Sequence, residues 1–272
     1  MYIPNSKTLI ERENERNNAN NLVKHISATR REQLEIFTNN DPRFLEAEQK
    51  YGKYLFVPLA LPIFELPDQE HFLSWWKDNM YIAKKLDGDA VMSGYGIEPF
   101  ETVDLITEIG NQWWEKNNKS ESFQKEFPQL WQQFNENLPC TKLLRLTLWS
   151  SRYEIQEHRD SAEMVDIPVS FRIKLYDENP SESLYLLENT LQPYTNGTPR
   201  MLPRAPNTNS FVWNNLRIKH GSVFNPNYRK ILAFAVGFLD IEKYTQLLET
   251  SINNYEDYCI TSENSIENYV NI

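Results

Sequence analysis

The chain has 272 residues, of which 40% are hydrophobic, 13% aromatic and 24% charged, with a net charge of −10. That composition belongs to a folded chain with a real core and excludes a disordered one. No lysine- or arginine-rich tract offsets the acidity, so a general phosphate-backbone binder is excluded, although a single buried arginine can still hold a small carboxylate.

In chain order, residues 7–45 are polar, with apolar side chains at roughly helical spacing, and predict helix carrying His25 on its surface. YGKYLFVPLALPIFELP (51–67) is apolar with three prolines and reads as a buried extended connector with one short strand. DQEHFLSWWKDNMYIAKKL (68–86) predicts a helix capped by Asp68, with His71 in its first turn and Trp75 and Trp76 packing inward. DGDAVMSGYGIEPFETVD (87–104) holds three of the eight glycines without a phosphate-loop pattern, and reads as a turn. TVDLITEIGNQWWEKNN and SESFQKEFPQLWQQFNEN predict helical pieces up to about residue 137.

The texture changes at Leu138. LLRLTLWSS (143–151) alternates in part, and IPVSFRIKLYD (167–177) alternates clearly, with Val169, Phe171, Ile173 and Leu175 on one face and Arg172 and Lys174 on the other. SLYLLEN (183–189), NSFVWNN (209–215) and KILAFAVGFLD (230–240) are further strands between turn-rich pieces. IEKYTQLLETSINNYEDY predicts a closing helix. The organisation expected is a mainly helical region over 1–137, a β-rich core over 138–240, and a C-terminal helix and tail over 241–272. Cys140 and Cys259 show no metal or scaffold spacing, no signal peptide is recognisable at the N-terminus, and the apolar run 231–239 is too short to span a bilayer; a cytoplasmic protein with no membrane partner is expected.

Chemistry concentrates in YEIQEHRDS. On a strand, His158 and Asp160 share a face and can converge on one ion. The other histidine of the β-rich part is His220, 62 residues downstream, where a returning strand can bring it alongside. Two imidazoles and one carboxylate are the donor set of non-haem iron(II) oxygenases: three protein ligands leave positions open, and the carboxylate offsets part of the metal charge. Zinc uses such ligands too, and a metal-free pairing of His158 with Asp160 is the alternative. Arg229, at the start of the most apolar strand, needs an anionic partner if buried, and a bidentate carboxylate supplies one. Glu154 shares parity with His158, while Arg145, Asn215, Trp213 and Arg204 are placed where they can meet a substrate or cosubstrate. Residues 190–209 form a long loop of the kind that covers a site.

HRD, FRIKLYD and FVWNNLRIKHGSVFNPNYRKILAFAVGFLD together resemble the iron(II)/2-oxoglutarate-dependent dioxygenases, and within them the aspartyl/asparaginyl β-hydroxylase-like and proline-hydroxylase-like branch, over about residues 143–240. The resemblance implies a double-stranded β-helix, a jelly roll of cupin type braced by N-terminal helices. It implies Fe(II) on His158, Asp160 and His220, with 2-oxoglutarate and O2 as cosubstrates. Arg229 would bind the distal carboxylate of 2-oxoglutarate, with Arg172 and Arg145 as further cofactor-binding residues. Arg172 matches an R-x-H strand motif whose histidine position is Lys174 here. The presence of Asp160 points to hydroxylation rather than chlorination. The expected reaction is hydroxylation of an unactivated C–H bond of a free or carrier-bound amino acid, releasing succinate and CO2, with Glu154, Asn215, Trp213 and Arg204 toward the substrate. The alternatives are a hydroxylase of a peptide or protein side chain, a cupin isomerase or hydrolase that does not use 2-oxoglutarate, and a non-enzymatic binding protein.

Overall fold

A computed structural model describes residues 42–83, 100–107, 118–150, 155–158, 169–178, 184–187, 199–213, 219–222 and 230–261. The readings of 7–41, the glycine-bearing turn up to 99, the part of the long loop before residue 199 and the tail lie outside these residues, as do Glu154, Asp160, Asn215 and Arg229.

The chain begins its described course with α1 (Pro42–Tyr51) and β1 (Tyr54–Pro58). Pro58 ends β1 beyond Tyr54 and Phe56, the two positions that the last strand covers, so its missing N–H costs no bond on that side. The helix α2 (Gln69–Asn79) is capped as the sequence predicts: Asp68 Oδ1 accepts from the His71 N–H at 2.9 Å. It buries Phe72, Trp75 and Trp76 and gives way at Met80 to β2 (Tyr81–Ala83).

The helical reading of TVDLIT is overturned by β3 (Phe100–Thr107). Helices do follow in α3 (Ser120–Glu126) and α4 (Pro128–Asn137), separated at Phe127 because Pro128 can open a helix but not continue one. Phe72, Trp75, Phe123, Phe127 and Phe134 form one aromatic cluster, with edge-on pairs such as Trp75–Phe127 at 5.6 Å. His71 is exposed and pairs with Glu126, Nε2 to Oε2 at 3.1 Å, which joins α2 to α3.

The strands then run β4 (Cys140–Ser150), β5 (Ile155–His158), β6 (Phe171–Asp177), β7 (Leu184–Leu187), β8 (Pro199–Met201), β9 (Ser210–Trp213), β10 (Lys219–Ser222) and β11 (Lys230–Leu239). After them come α5 (Ile241–Tyr255), a 3-10 turn and β12 (Ile260–Thr261). Asp240 caps α5, and Tyr244, Leu248, Ser251 and Ile252 form its buried stripe.

The class is α+β, but the closed jelly roll is not formed. An antiparallel eight-stranded sheet has the order β12-β1-β9-β6-β11-β4-β3-β2, and a separate four-stranded sheet has the order β5-β10-β7-β8. Among the described residues β2 pairs only with β3 and β12 only with β1, so the large sheet ends in two edges instead of closing on itself. Residues before 138 supply helices, and they also supply β1, β2 and β3, which widen this sheet on both sides.

One face of the large sheet carries Val103, Leu105, Leu146, Leu148, Phe171, Ile173, Ala233 and Ala235 into the main core, shared with the helices. The other face has its own apolar cluster of Leu55, Phe56, Phe211, Trp213, Leu232 and Ile260, with Leu202. Cys140 and Cys259 are not joined to each other, and burial pushes both thiols up to about 12. Among the described residues no helix is long and apolar enough to cross a membrane.

Candidate functional site

The strand β10 lies between β5 and β7 in the small sheet, antiparallel to both. In this register His220 stands directly opposite His158, and opposite Leu186 on the other side. The two histidines singled out in the sequence are thereby neighbours across one strand pair. Asp160 follows His158 by two residues and lies outside the described residues, and among those residues no three His, Cys, Asp or Glu gather as a metal-holding group.

His220 is buried, with its ring 4.3 Å from Trp213, centroid to centroid, at an interplanar angle of 37°. Trp213 belongs to β9 of the large sheet, so this contact links the two sheets. Over the same indole lies the guanidinium of Arg172, 3.5 Å from the ring centre. Arg172 is 2% exposed and its Nη1 donates to the carbonyl oxygen of Ser170 at 3.2 Å and to its Oγ at 2.5 Å. A buried cation needs such partners, and the π face of an indole adds to them.

Arg145 reaches the same region from β4. Its guanidinium lies 5.0 Å from the ring centre of Phe234, and that of Arg172 lies 5.2 Å from the same ring. Strand β11 places Phe234 opposite Arg172 on one side and Thr147 on the other, which is why two arginines from separate strands meet at one phenyl group.

A buried polar chain extends from Arg145. Its Nε donates to Thr147 Oγ1 at 3.3 Å, and Thr147 Oγ1 donates to Asp104 Oδ1 at 3.1 Å. The Tyr81 hydroxyl donates to Asp104 Oδ2. Burial raises the Asp104 pKa above the ordinary aspartate value, against the hydrogen bond from Tyr81, the charge of Arg145 and the hydrogen bond from Thr147. The Tyr81 hydroxyl is raised as well, first by burial and then by Asp104.

Of the residues predicted from sequence, His158, His220, Trp213, Arg172 and Arg145 fall on two facing groups of strands, and the contacts Arg172–Trp213–His220 connect three of them. Arg204 is elsewhere: it is exposed and pairs with Asp177. Lys174, at the motif's histidine position, holds its Nζ 5.5 Å from the ring centre of Phe211. Asp104, Tyr81 and Phe234 were not singled out. The signal for Asp104 was a lone carboxylate between Val103 and Leu105 in an alternating run. Lys230, next to Arg229, was also passed over; it is fully buried, with Nζ 3.7 Å from Asp177 Oδ2.

No family model matches the chain, and no curated protein does. Among solved structures it is similar to a 2OG-Fe(II) oxygenase family oxidoreductase from Burkholderia pseudomallei, at 10% identity and a TM-score of 0.38, over 70% of this chain and 89% of that one. It is similar to a prolyl hydroxylase from Trichoplax adhaerens in complex with a hypoxia inducible factor oxygen degradation domain peptide fragment, at 11% identity and a TM-score of 0.37, over 89% and 97%. A prolyl-4-hydroxylase from Pseudomonas putida matches at 11% identity and a TM-score of 0.36, over 70% and 96%. These likenesses to proteins of the 2OG-Fe(II) oxygenase kind are at low identity and TM-scores below 0.5, and carry no argument about the chemistry of this chain.

Proposed function

We propose that the chain is an Fe(II)/2-oxoglutarate-dependent oxygenase that hydroxylates an unactivated C–H bond of a free or carrier-bound amino acid. The observation that carries this reading is the register of β5 against β10, which sets His220 opposite His158. Opposite positions of an antiparallel pair share a face of the sheet, with Cβ atoms about 4.5–5.5 Å apart. Two imidazoles so placed, with a carboxylate two residues beyond the first, fit a divalent iron ion that keeps open positions.

His158, Asp160 and His220 would hold the metal. Bound iron and 2-oxoglutarate would supply the oxygen activation that turns C–H into C–OH, with release of succinate and CO2. The chain's own residues bind and orient. Neutral imidazoles donate to the metal, and Asp160 offsets part of its charge. Trp213 walls His220 on an apolar side and limits water there. Arg229, Arg172 and Arg145 supply the positive charge for a dicarboxylate cosubstrate, with Arg172 already oriented by Ser170 and Trp213. Glu154 and Asn215 would meet the substrate's polar groups.

The test is an anaerobic titration of Fe(II) and 2-oxoglutarate, followed by the weak visible charge-transfer band of a metal-bound 2-oxo acid. The band is expected to saturate in the wild type, to vanish in His220→Ala and to weaken in Arg229→Ala. Absence of the band in the wild type, with tight zinc binding in its place, overturns the oxygenase reading.

A further inference from the structure

A cavity of about 360 Å3 lies between the ends of β1, β6 and β9 and the start of α2. Small-molecule pockets run from roughly 300 to 1,000 Å3, so this one suits a compact ligand. Among its described lining residues there is no histidine.

The walls divide by chemistry. Phe56 and Phe211, 5.5 Å apart between ring centres, form an aromatic side with Pro58. Lys174 and Arg204 bring positive charge. The carboxylate among the described lining residues is Asp177, and its Oδ2 is shared between Arg204 Nη2 and the buried Lys230 at 3.7 Å. Glu178 stands near, its Oε1 accepting from the Tyr176 hydroxyl at 3.3 Å. Arg204 therefore spends one nitrogen on Asp177, while its Nε and Nη1 have no hydrogen-bond acceptor among the described residues.

The wall is also fixed in advance. Asn209 Nδ2 donates to the carbonyl oxygens of Phe64 and Lys174, and Thr208 Oγ1 donates to that of Leu59 at 2.6 Å. A wall held this way loses little freedom on binding.

We propose that this cavity is a second small-molecule site, which takes a small monocarboxylate with an apolar body, the carboxylate on Arg204 and Lys174 and the body against Phe56 and Phe211. A guanidinium with unspent N–H donors beside an aromatic wall selects a carboxylate over a neutral ligand of the same shape. The proposal does not depend on iron, because none of the cavity's described walls is a proposed metal ligand.

The test is calorimetric titration of the full chain in the presence of a chelator, with benzoate, its neutral isostere benzamide, and inorganic phosphate. Benzoate is expected to bind saturably to the wild type and equally to His220→Ala. Losing a charge-assisted contact in Arg204→Gln should weaken binding about tenfold or more. Lys174→Gln serves as the independent second variant and should also weaken it. The proposal is overturned if benzoate does not saturate, if benzamide binds as well, if phosphate competes with equal affinity, or if both charge-removing variants bind like the wild type. Loss of binding in His220→Ala overturns it too, since the probe would then sit at the histidine pair.

Discussion

The guanidinium of Arg172 stacks on the indole of Trp213 at 3.5 Å, and that indole in turn lies against His220, so a buried charge on the large sheet is one ring away from a histidine on the small one. Trp213→Ala should remove both contacts at once. Emptying a buried aromatic position costs about 3–5 kcal/mol, and Trp213→Phe, which keeps a ring, should cost less. Urea unfolding of the two variants checks the order.

Arg172→Lys should behave as a non-conservative change. Lysine keeps the charge but loses the planar face that stacks on Trp213 and the fork that grips Ser170. We expect a loss of about 1–3 kcal/mol, from a cation–π contact and a charge-assisted hydrogen bond made less well. A lower urea midpoint with an unchanged slope is the expected result.

Asp104 should make stability depend on pH in an unusual direction. Its folded pKa is raised, chiefly by burial, so between the ordinary aspartate value and the raised one the folded chain binds more protons than the unfolded chain. Stability contributed by this group is therefore full below about pH 4 and falls as pH rises toward the folded value. Asp104→Asn should flatten that slope. Unfolding midpoints of wild type and variant, compared across mildly acidic to neutral pH, give the difference.

Gly237→Ala should destabilise the centre of the large sheet. A Cβ at Gly237 would run into the carbonyl oxygen of Lys142 and lie 3.0 Å from Cys140 Sγ, at a register irregularity between β11 and β4. Backbone cannot swing aside as a side chain can, so a cost of about 1–3 kcal/mol is expected, as for overpacking. Thermal unfolding of the variant checks it.

Asp240→Ala should cost about 1 kcal/mol by leaving the Lys243 N–H, now 3.2 Å from Asp240 Oδ1, without its cap at the start of α5. Asp240→Asn, which keeps an acceptor oxygen, should recover most of the loss on the same denaturation curve.

Elements with one clean period were legible. The cap and apolar face of α2, the alternation of β6 and the stripe of α5 all follow from local rules. The register that sets His220 opposite His158 was not legible: neither β5 nor β10 was among the strands read, and the sequence offered only that a returning strand can bring His220 alongside. β3 was misread for a physical reason. Thr102 and Asp104 are fully buried, and polar residues in the core hide the apolar–polar contrast on which a period is read. Their burial is tolerated because Thr102 Oγ1 donates to the Leu148 carbonyl oxygen and Asp104 accepts from Tyr81 and Thr147, partners that belong to other strands. The open ending of the large sheet was not legible either. It depends on where β1 and β12 dock, which pairs residues about 200 apart in sequence and leaves no mark on any local window.

The strand order also governs when folding can finish. β11 sits between β6 and β4, yet it is made well after both, and β12, which flanks β1, comes later still. A chain emerging from the ribosome must hold the facing edges of β4 and β6 open until residue 239 is out. Pairings of such long sequence separation slow the search for the native state and leave edges exposed to neighbouring chains meanwhile. Truncation anywhere before β11 is therefore expected to yield an aggregating product instead of a smaller folded one, and synthesis on the ribosome becomes a period in which a holdase has something to protect.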